Sequence, residues 1–280
     1  MSTIRLEPDE FRLLASYIEG LCAIRTTEDK SYLIETRLRP ILSRHGIASF
    51  HDLYFRAKNQ PSSGIKDEII DAMTTNETLW FRDRHPFTIF EEKLVGQYEE
   101  EIAAGKRNHV SVWSAACSMG QEPYSLAMVI LEAARRSTTL TPEMFSILAT
   151  DISESALAVA KSGLYDPIAI SRGLPPDFRA RYFTSAGRSW SIDDEVKKRV
   201  RFMAGNLQNA VPSPGRFDVI LCRNVMIYFS DEFKTGLFQR FARALRPKGY
   251  LIIGASESLS GYSTEFEMFE HRGGVYYQVR

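Results

Sequence analysis

The spacing of the apolar residues changes once along this chain, near Phe81, and that change limits the available folds more than any other feature. From Glu7 to about Ala72 the stretches "DEFRLLASYIEGLC", "SYLIETRLRPILSRHG", "SFHDLYFRAK" and "IKDEIIDAMTTN" repeat apolar residues three to four apart, as amphipathic helices do. Gly46 supplies a helix stop, and Thr27 and Ser49 are N-cap candidates. Beyond Phe81, "HVSVWSAAC", "FSILATDIS", "FDVILCRN" and "YLIIGAS" read as strands. The helices between them are "EPYSLAMVILEAARR", "SESALAVAKSG" and "SDEFKTGLFQRFARALRPKG". Strands alternating with long helices predict a mainly parallel sheet covered on both faces. The final "HRGGVYYQVR" adds one more strand, antiparallel at or near an edge.

The expected organisation is an all-helical N-terminal domain over residues 1–75 and a doubly wound α/β domain over 76–280. One segment breaks the rhythm of the second domain. From about 165 to 202 there are turn signals, a short helix candidate and two alternating stretches, "RYFTSA" and "SWSID", which pair as a small antiparallel hairpin or sheet. The segment is too long for a simple connection, so it reads as an insertion.

Composition narrows the function. Thirty-five basic and 35 acidic residues give a formal net charge of zero, so there is no global charge case for nucleic acid or an acidic membrane surface. Cys22, Cys117 and Cys222 lie far apart, without the spacing of a zinc site or a disulfide framework, and no metal is expected. Neither a signal peptide nor an apolar run of about 18 residues is present, which predicts a cytoplasmic chain without membrane insertion. The five histidines are scattered, and none is assigned to catalysis.

In an open parallel sheet, ligands bind beyond the carboxyl ends of the strands. Here those ends carry "SAACSMGQEP", "DIS", "CRN" and "SES", so the polar residues converge on one rim. The first loop is built of small residues that admit a ligand close to the backbone, yet it has neither the glycine fingerprint of dinucleotide folds nor a P-loop. Glu122 at the start of the following helix opposes a phosphate there. Asp151 stands where nucleoside-binding folds place an acid against ribose hydroxyls, although "TDISES" also reads as an N-cap cluster. A nucleoside cofactor without a pyrophosphate, bound among carboxylates, is best matched by cationic S-adenosylmethionine.

Taken in order, "TTNETLWFRD", "WSAACSMGQEPYSLAM", "ATDIS", "GNL", "FDVILCRNVMIYF" and "LRPKGYLIIGASESL" resemble the CheR family of chemotaxis receptor methyltransferases. The resemblance implies a class I methyltransferase fold. It also implies methyl transfer from S-adenosylmethionine to glutamate side chains on the cytoplasmic helices of chemoreceptors. Matched position by position, it assigns cofactor contacts to Asn76, Thr78, Arg82, Glu122, Asp151, Asn206, Leu207, Arg223 and Asn224. Arg82 and Tyr228 would stand nearest the transferred methyl. A basic stripe of Lys30, Arg37 and Arg44, with Arg39 beside it, would meet the acidic receptor helix, though it also reads as a solvated face, and Pro40 inside it is expected to kink or divide the helix.

Each assignment has a plainer counterpart. Arg82 could pair with Asp83 or cap a helix, Asn76 and Thr78 could form a terminating turn, and Tyr228 could be a core aromatic with a surface hydroxyl. Some family members grip a short receptor C-terminal peptide with an inserted three-stranded subdomain and a glycine-bearing loop. The corresponding segment here is shorter and has a single glycine, Gly187, which puts that tethering in question. A nucleic-acid methyltransferase lacks its acceptor motif here, and the non-enzymatic alternative is a cofactor-binding scaffold of a chemosensory array. A monomer is expected.

Overall fold

A computed structural model describes residues 4–209, 211–212 and 216–280. The N-terminal helices are α1 (Pro8–Cys22), α2 (Ser31–His45), α3 (Phe50–Asn59) and α4 (Ile65–Met73). Their apolar faces meet in one core built around Leu14, Ile18, Ile34, Leu38, Phe50, Leu53 and Ile69. Local chemistry sets their ends. Glu7 and Glu10 satisfy each other's backbone amides at the start of α1. The Ser49 hydroxyl accepts from the Asp52 amide (3.0 Å), and Gly46 closes α2 at φ 61°. Thr27 differs from expectation: it precedes only a single 3-10 turn, Glu28–Lys30, and its side chain makes no capping bond. Pro40 does not divide α2, which runs unbroken with the proline on its exposed side.

A helical rod follows, made of α5 (His85–Thr88), a π-helical stretch Ile89–Val95 and α6 (Gly96–Ala103). The α/β core then runs β1 (Val110–Ala115), α7 (Gln121–Arg136), β2 (Phe145–Asp151) and α8 (Glu154–Ser162). The inserted unit contains β3 (Leu164–Tyr165), α9 (Pro167–Ser171), α10 (Pro176–Tyr182), β4 (Phe183–Ala186), β5 (Ser189–Ile192) and α11 (Asp194–Lys197). The chain closes with β6 (Val200–Ala204), β7 (Phe217–Cys222), α12 (Asp231–Ala244), β8 (Leu245–Ile253), β9 (Phe266–His271) and β10 (Gly274–Val279).

The large sheet has seven strands in the order β6-β2-β1-β7-β8-β10-β9. It is parallel from β6 to β8, and β10 and β9 are antiparallel. Alternate residues build the two faces. Val110, Val112, Ile147, Val219, Leu221 and Ile252 pack under α7 and the rod, whereas Trp113, Ala115, Ile220, Cys222 and Leu251 pack against α12. Successive parallel strands are laid down outward from β1 to β2 and β6, and then on its other side as β7 and β8. Strand order therefore reverses between β1 and β7, which opens a crevice at their carboxyl ends.

Two strands of the large sheet were not read from the sequence. The edge strand β6 takes residues 200–204, overlapping the end of the expected insertion, because "VRFMA" buries few side chains and carries charge. The edge strand β9 is half exposed with two glutamates, Glu267 and Glu270, and so lacks the apolar run that marks a central strand. In the insertion, β4 and β5 form the expected hairpin, and β3 adds a third strand in the order β3-β5-β4. The unit is anchored on α7 by Glu132, which accepts from the Tyr182 hydroxyl (2.5 Å) and pairs with Arg181. Among the described residues, no helix is long and apolar enough to cross a membrane.

The insertion also presses on the segment that leads into the crevice. Trp80 donates its amide to Arg172 O (3.2 Å), and Arg172 pairs with Glu77 (2.6 Å). Gly173, at φ 86°, has no room for a side chain, since a Cβ there would lie 2.2 Å from Trp80 O. Gly173→Ala should therefore lower stability by roughly 2–5 kcal/mol, from left-handed backbone strain and overpacking together. Urea unfolding checks it, and a wild-type midpoint would show that this contact yields freely.

Candidate functional site

The turn after β1 determines the floor of the crevice. Ala116, Ser118 and Gly120 all take positive φ (59°, 50° and 91°), a conformation that two non-glycine residues adopt only where surrounding contacts impose it. One such contact is Asp151 at the end of β2. Its carboxylate accepts from the amides of Ser118 (2.7 Å) and Ser153 (2.9 Å). The cap reading of "TDISES" belongs to Ser153, whose hydroxyl accepts from Ala156 N (3.1 Å); Asp151 is left to line the crevice. Burial pushes the Asp151 carboxyl above its usual range, opposed by the amides of Ser153, Ser118 and Ile152.

The turn after β7 supplies the opposite wall. Arg223 is almost wholly buried, with its side chain 1% exposed, and its guanidinium meets Glu122 (2.8 Å), Asp83 (2.7 Å) and the carbonyl of Arg82 (2.8 Å). It also lies over the Phe87 ring, 5.8 Å from the centroid. Glu122 accepts in addition from the Ser114 hydroxyl (2.8 Å). The charge that ends the buried strand is thus satisfied by two carboxylates and a carbonyl, and it ties β7 to α7 and to the segment 82–83.

The helical domain and its connection form the roof. Cys22, Ile24 and Thr74–Thr78 line the same crevice, whose space is about 910 Å³ with the open mouth included. Asn76 reaches Ser153 Oγ (3.3 Å) and accepts Ser118 Oγ on its carbonyl (3.1 Å). Asn206 donates to Leu21 O (2.8 Å), and Arg25 donates its amide to Tyr228 O (2.9 Å), so α1 is fastened on both sides of the opening. Arg82 donates to Glu77 O (3.0 Å) and, like Tyr228, is partly exposed at the crevice.

Every residue assigned to cofactor or catalysis from the sequence, namely Asn76, Thr78, Arg82, Glu122, Asp151, Asn206, Leu207, Arg223, Asn224 and Tyr228, lines this one crevice. The basic stripe does not. Arg37 turns into the connection, donating to Met73 O (2.7 Å) and Thr75 Oγ1 (3.1 Å), where it props two roof residues. Arg39 pairs with Glu35, Arg44 with Glu68, and Lys30 is exposed. Cys22 and Cys117 also line the crevice, but burial pushes the Cys22 thiol up to about 11 and the Cys117 thiol well above its usual value, so neither is a ready nucleophile. Among the described residues no group of acids, histidines and cysteines has the arrangement to hold a metal.

Family comparison agrees with this two-part construction. Residues 9–74 match the all-alpha domain model of CheR methyltransferase, and residues 76–275 match its SAM binding domain model. This chain belongs to the CheR methyltransferase family. A chemotaxis protein methyltransferase of Vibrio parahaemolyticus is 42% identical over 281 aligned residues, covering 100% of each chain. Chemotaxis protein methyltransferase 1 of Pseudomonas aeruginosa is 39% identical over 97% of this chain and 98% of its own. A more distant chemotaxis protein methyltransferase, from Borreliella burgdorferi, is 33% identical over 92% and 91%. The CheR domain boundary falls at Thr75, between α4 and the roof residue Asn76.

The crevice fits the cofactor that the family model names. Its lining offers acceptors, a buried carboxylate with lone pairs beyond those its backbone amides take and a second carboxylate, together with the small residues Ala116 and Ser118 of the turn. Sequence reasoning assigned nothing to Glu257, in the "SES" of the fourth strand end, whose carboxylate accepts from the amides of Asn224 (3.0 Å) and Met226 (2.8 Å), because nothing in that tripeptide separates the acid from its serine neighbours. It passed over Ile24 and Cys22 because residues in a helical domain give no sequence signal of facing a sheet.

Arg223→Met should lower stability by roughly 3–5 kcal/mol, since Glu122 and Asp83 would keep their charge without a partner. Chemical denaturation measures it. A variant as stable as wild type would mean that these carboxylates find solvent or other donors.

Proposed function

We propose that this CheR-family chain transfers a methyl group from S-adenosylmethionine to glutamate side chains on the cytoplasmic helices of chemoreceptors, forming glutamyl methyl esters. The observation that carries the reading is that ten residues from five separate sequence stretches meet in one crevice, with acids inside and Arg82 and Tyr228 among its lining. The relatives named as chemotaxis protein methyltransferases support it over their full length.

In this reading Asp151 accepts from the ribose hydroxyls, and Asn76, Thr78, Asn206, Leu207 and Asn224 enclose the nucleoside. Glu122, held by Ser114 and Arg223, faces the cationic part of the ligand. When bound, the cofactor supplies an electrophilic methyl group. The remaining work is positioning, because a glutamate with an ordinary pKa of about 4.3 is already ionised near neutrality and needs no general base. Arg82, at the crevice and without an ion pair to either neighbouring acid, holds the substrate carboxylate by charge-assisted hydrogen bonds. The Tyr228 hydroxyl orients the attacking oxygen. Exposed Lys30 offers positive charge to an acidic receptor helix, and so does exposed Arg44 beside its pair with Glu68, while Arg37 and Arg39 are engaged within the domain. The reaction places the protein in the cytoplasm.

Calorimetric titration with S-adenosylhomocysteine tests the cofactor. Asp151→Ala should abolish saturable binding, and unchanged affinity would remove the ribose assignment. Affinity for the wild type should fall as pH is lowered through the raised Asp151 pKa, because protonation removes an acceptor and binding favours the charged form. A flat acid limb would contradict that role. For catalysis, labelled methyl transfer to a receptor cytoplasmic fragment, with label released by base as methanol, identifies the ester. Tyr228→Phe should lower kcat roughly 10- to 100-fold with little change in cofactor affinity; an intact rate would exclude the orienting role.

A further inference from the structure

The turn between β7 and the helix α12 carries three of the assigned residues, Arg223, Asn224 and Tyr228, and its shape is improbable for the isolated sequence. Asn224 sits at φ 58°, in the left-handed region, and Met226–Tyr228 form a single 3-10 turn. The amides of Asn224 and Met226 point away from any ladder or helix of their own. Both are taken up by one side chain. Glu257 accepts from Asn224 N (3.0 Å) and Gly254 N (2.7 Å) through Oε2, and from Met226 N (2.8 Å) through Oε1.

The approach is close because residue 254 has no side chain. A Cβ on Gly254 would lie 2.7 Å from Glu257 Oε2 and 2.9 Å from Asn224 N. The turn Gly254–Glu257, closed by Glu257 N to Gly254 O (2.9 Å), places the carboxylate over the ends of β8 and β7 together. At the far end of the same stretch, Tyr228 O is fixed by Arg25 N (2.9 Å). The tyrosine is thereby held from the sheet on one side and from the helical domain on the other.

We propose that Glu257 is a positioning residue of the transfer reaction, acting through the turn it braces to set Asn224 in the crevice and Tyr228 at the reacting end. The inference rests on the function proposed above for that crevice. Only an ionised acid presents acceptors alone to three donors. A glutamine in its place can keep its carbonyl oxygen on Asn224 and Gly254 but must aim an NH₂ at the Met226 amide, or the reverse. Glu257→Gln therefore releases one anchor of the turn while keeping the volume of the side chain.

The test compares wild type, Glu257→Gln, Tyr228→Phe and the double variant. Expected for Glu257→Gln are faster hydrogen exchange at the Met226 and Asn224 amides, a kcat lowered about tenfold or more, and weaker S-adenosylhomocysteine binding, because Asn224 belongs to the nucleoside's enclosure in the reading above. Tyr228→Phe should cost a smaller factor in the Glu257→Gln background than alone, because the tyrosine is already misplaced there. Wild-type exchange rates in Glu257→Gln would overturn the brace, and equal Tyr228→Phe factors in both backgrounds would overturn its action through the tyrosine. Should Glu257→Gln fold poorly, Glu257→Asp, one methylene shorter, is read in the same way. If wild type itself transfers no methyl group, the proposed function fails on its own account, and amide exchange alone decides whether the brace exists.

Discussion

The site depends on a buried positive charge. Arg223 leaves the end of a strand with every residue buried and enters a space where its side chain is almost fully desolvated. An isolated guanidinium there would cost more than the fold can offset, so its neighbours are constrained to be Glu122, Asp83 and the Arg82 carbonyl. They come from two separate elements. The first turn of α7, the connection from the helical domain and the end of β7 are drawn to one point, and the crevice is the space left around it. Arg82 is held by its own carbonyl in this cluster, while its guanidinium donates to Glu77 O at the edge of the crevice.

Around that charge, polar side chains do the work that glycines do in dinucleotide folds. Asp151 holds Ser118 in a left-handed conformation, and Glu257 does the same for Asn224. Two carboxylates thus shape two strained turns on the two sides of the switch point. The crevice is thereby given a floor of backbone and small side chains without a phosphate-binding glycine loop. The helical domain closes the remaining side through Asn206, Arg25 and Asn76, and the inserted unit supports the connection through Arg172 and Gly173. The crevice therefore belongs to neither domain alone.

Much of this was legible beforehand. The change of period at Phe81, the buried strands β1, β2, β7 and β8, and the polar residues at their ends follow from hydrophobic patterning and from where parallel sheets bind ligands. The strands β6 and β9 were not legible, because edge strands are short, charged and half exposed, the same traits that protect them from pairing with other chains. The stripe Lys30, Arg37 and Arg44 shows the opposite failure. Its heptad spacing is real, yet Arg37 is spent inside the molecule on Met73 and Thr75, which no periodicity reveals.

By itself the sequence determined the helical character of the first part, the parallel sheet of the second and the polar residues at its strand ends, since these depend on residue order and local spacing. Only the tertiary structure decided which polar groups are structural and which are left facing the crevice. Asp151 and Ser153 read alike in the sequence, as do Glu257 and its serine neighbours. Their roles separate only when strands far apart in the chain bring specific amides within hydrogen-bond distance of one carboxylate, and that is a property of the packed molecule.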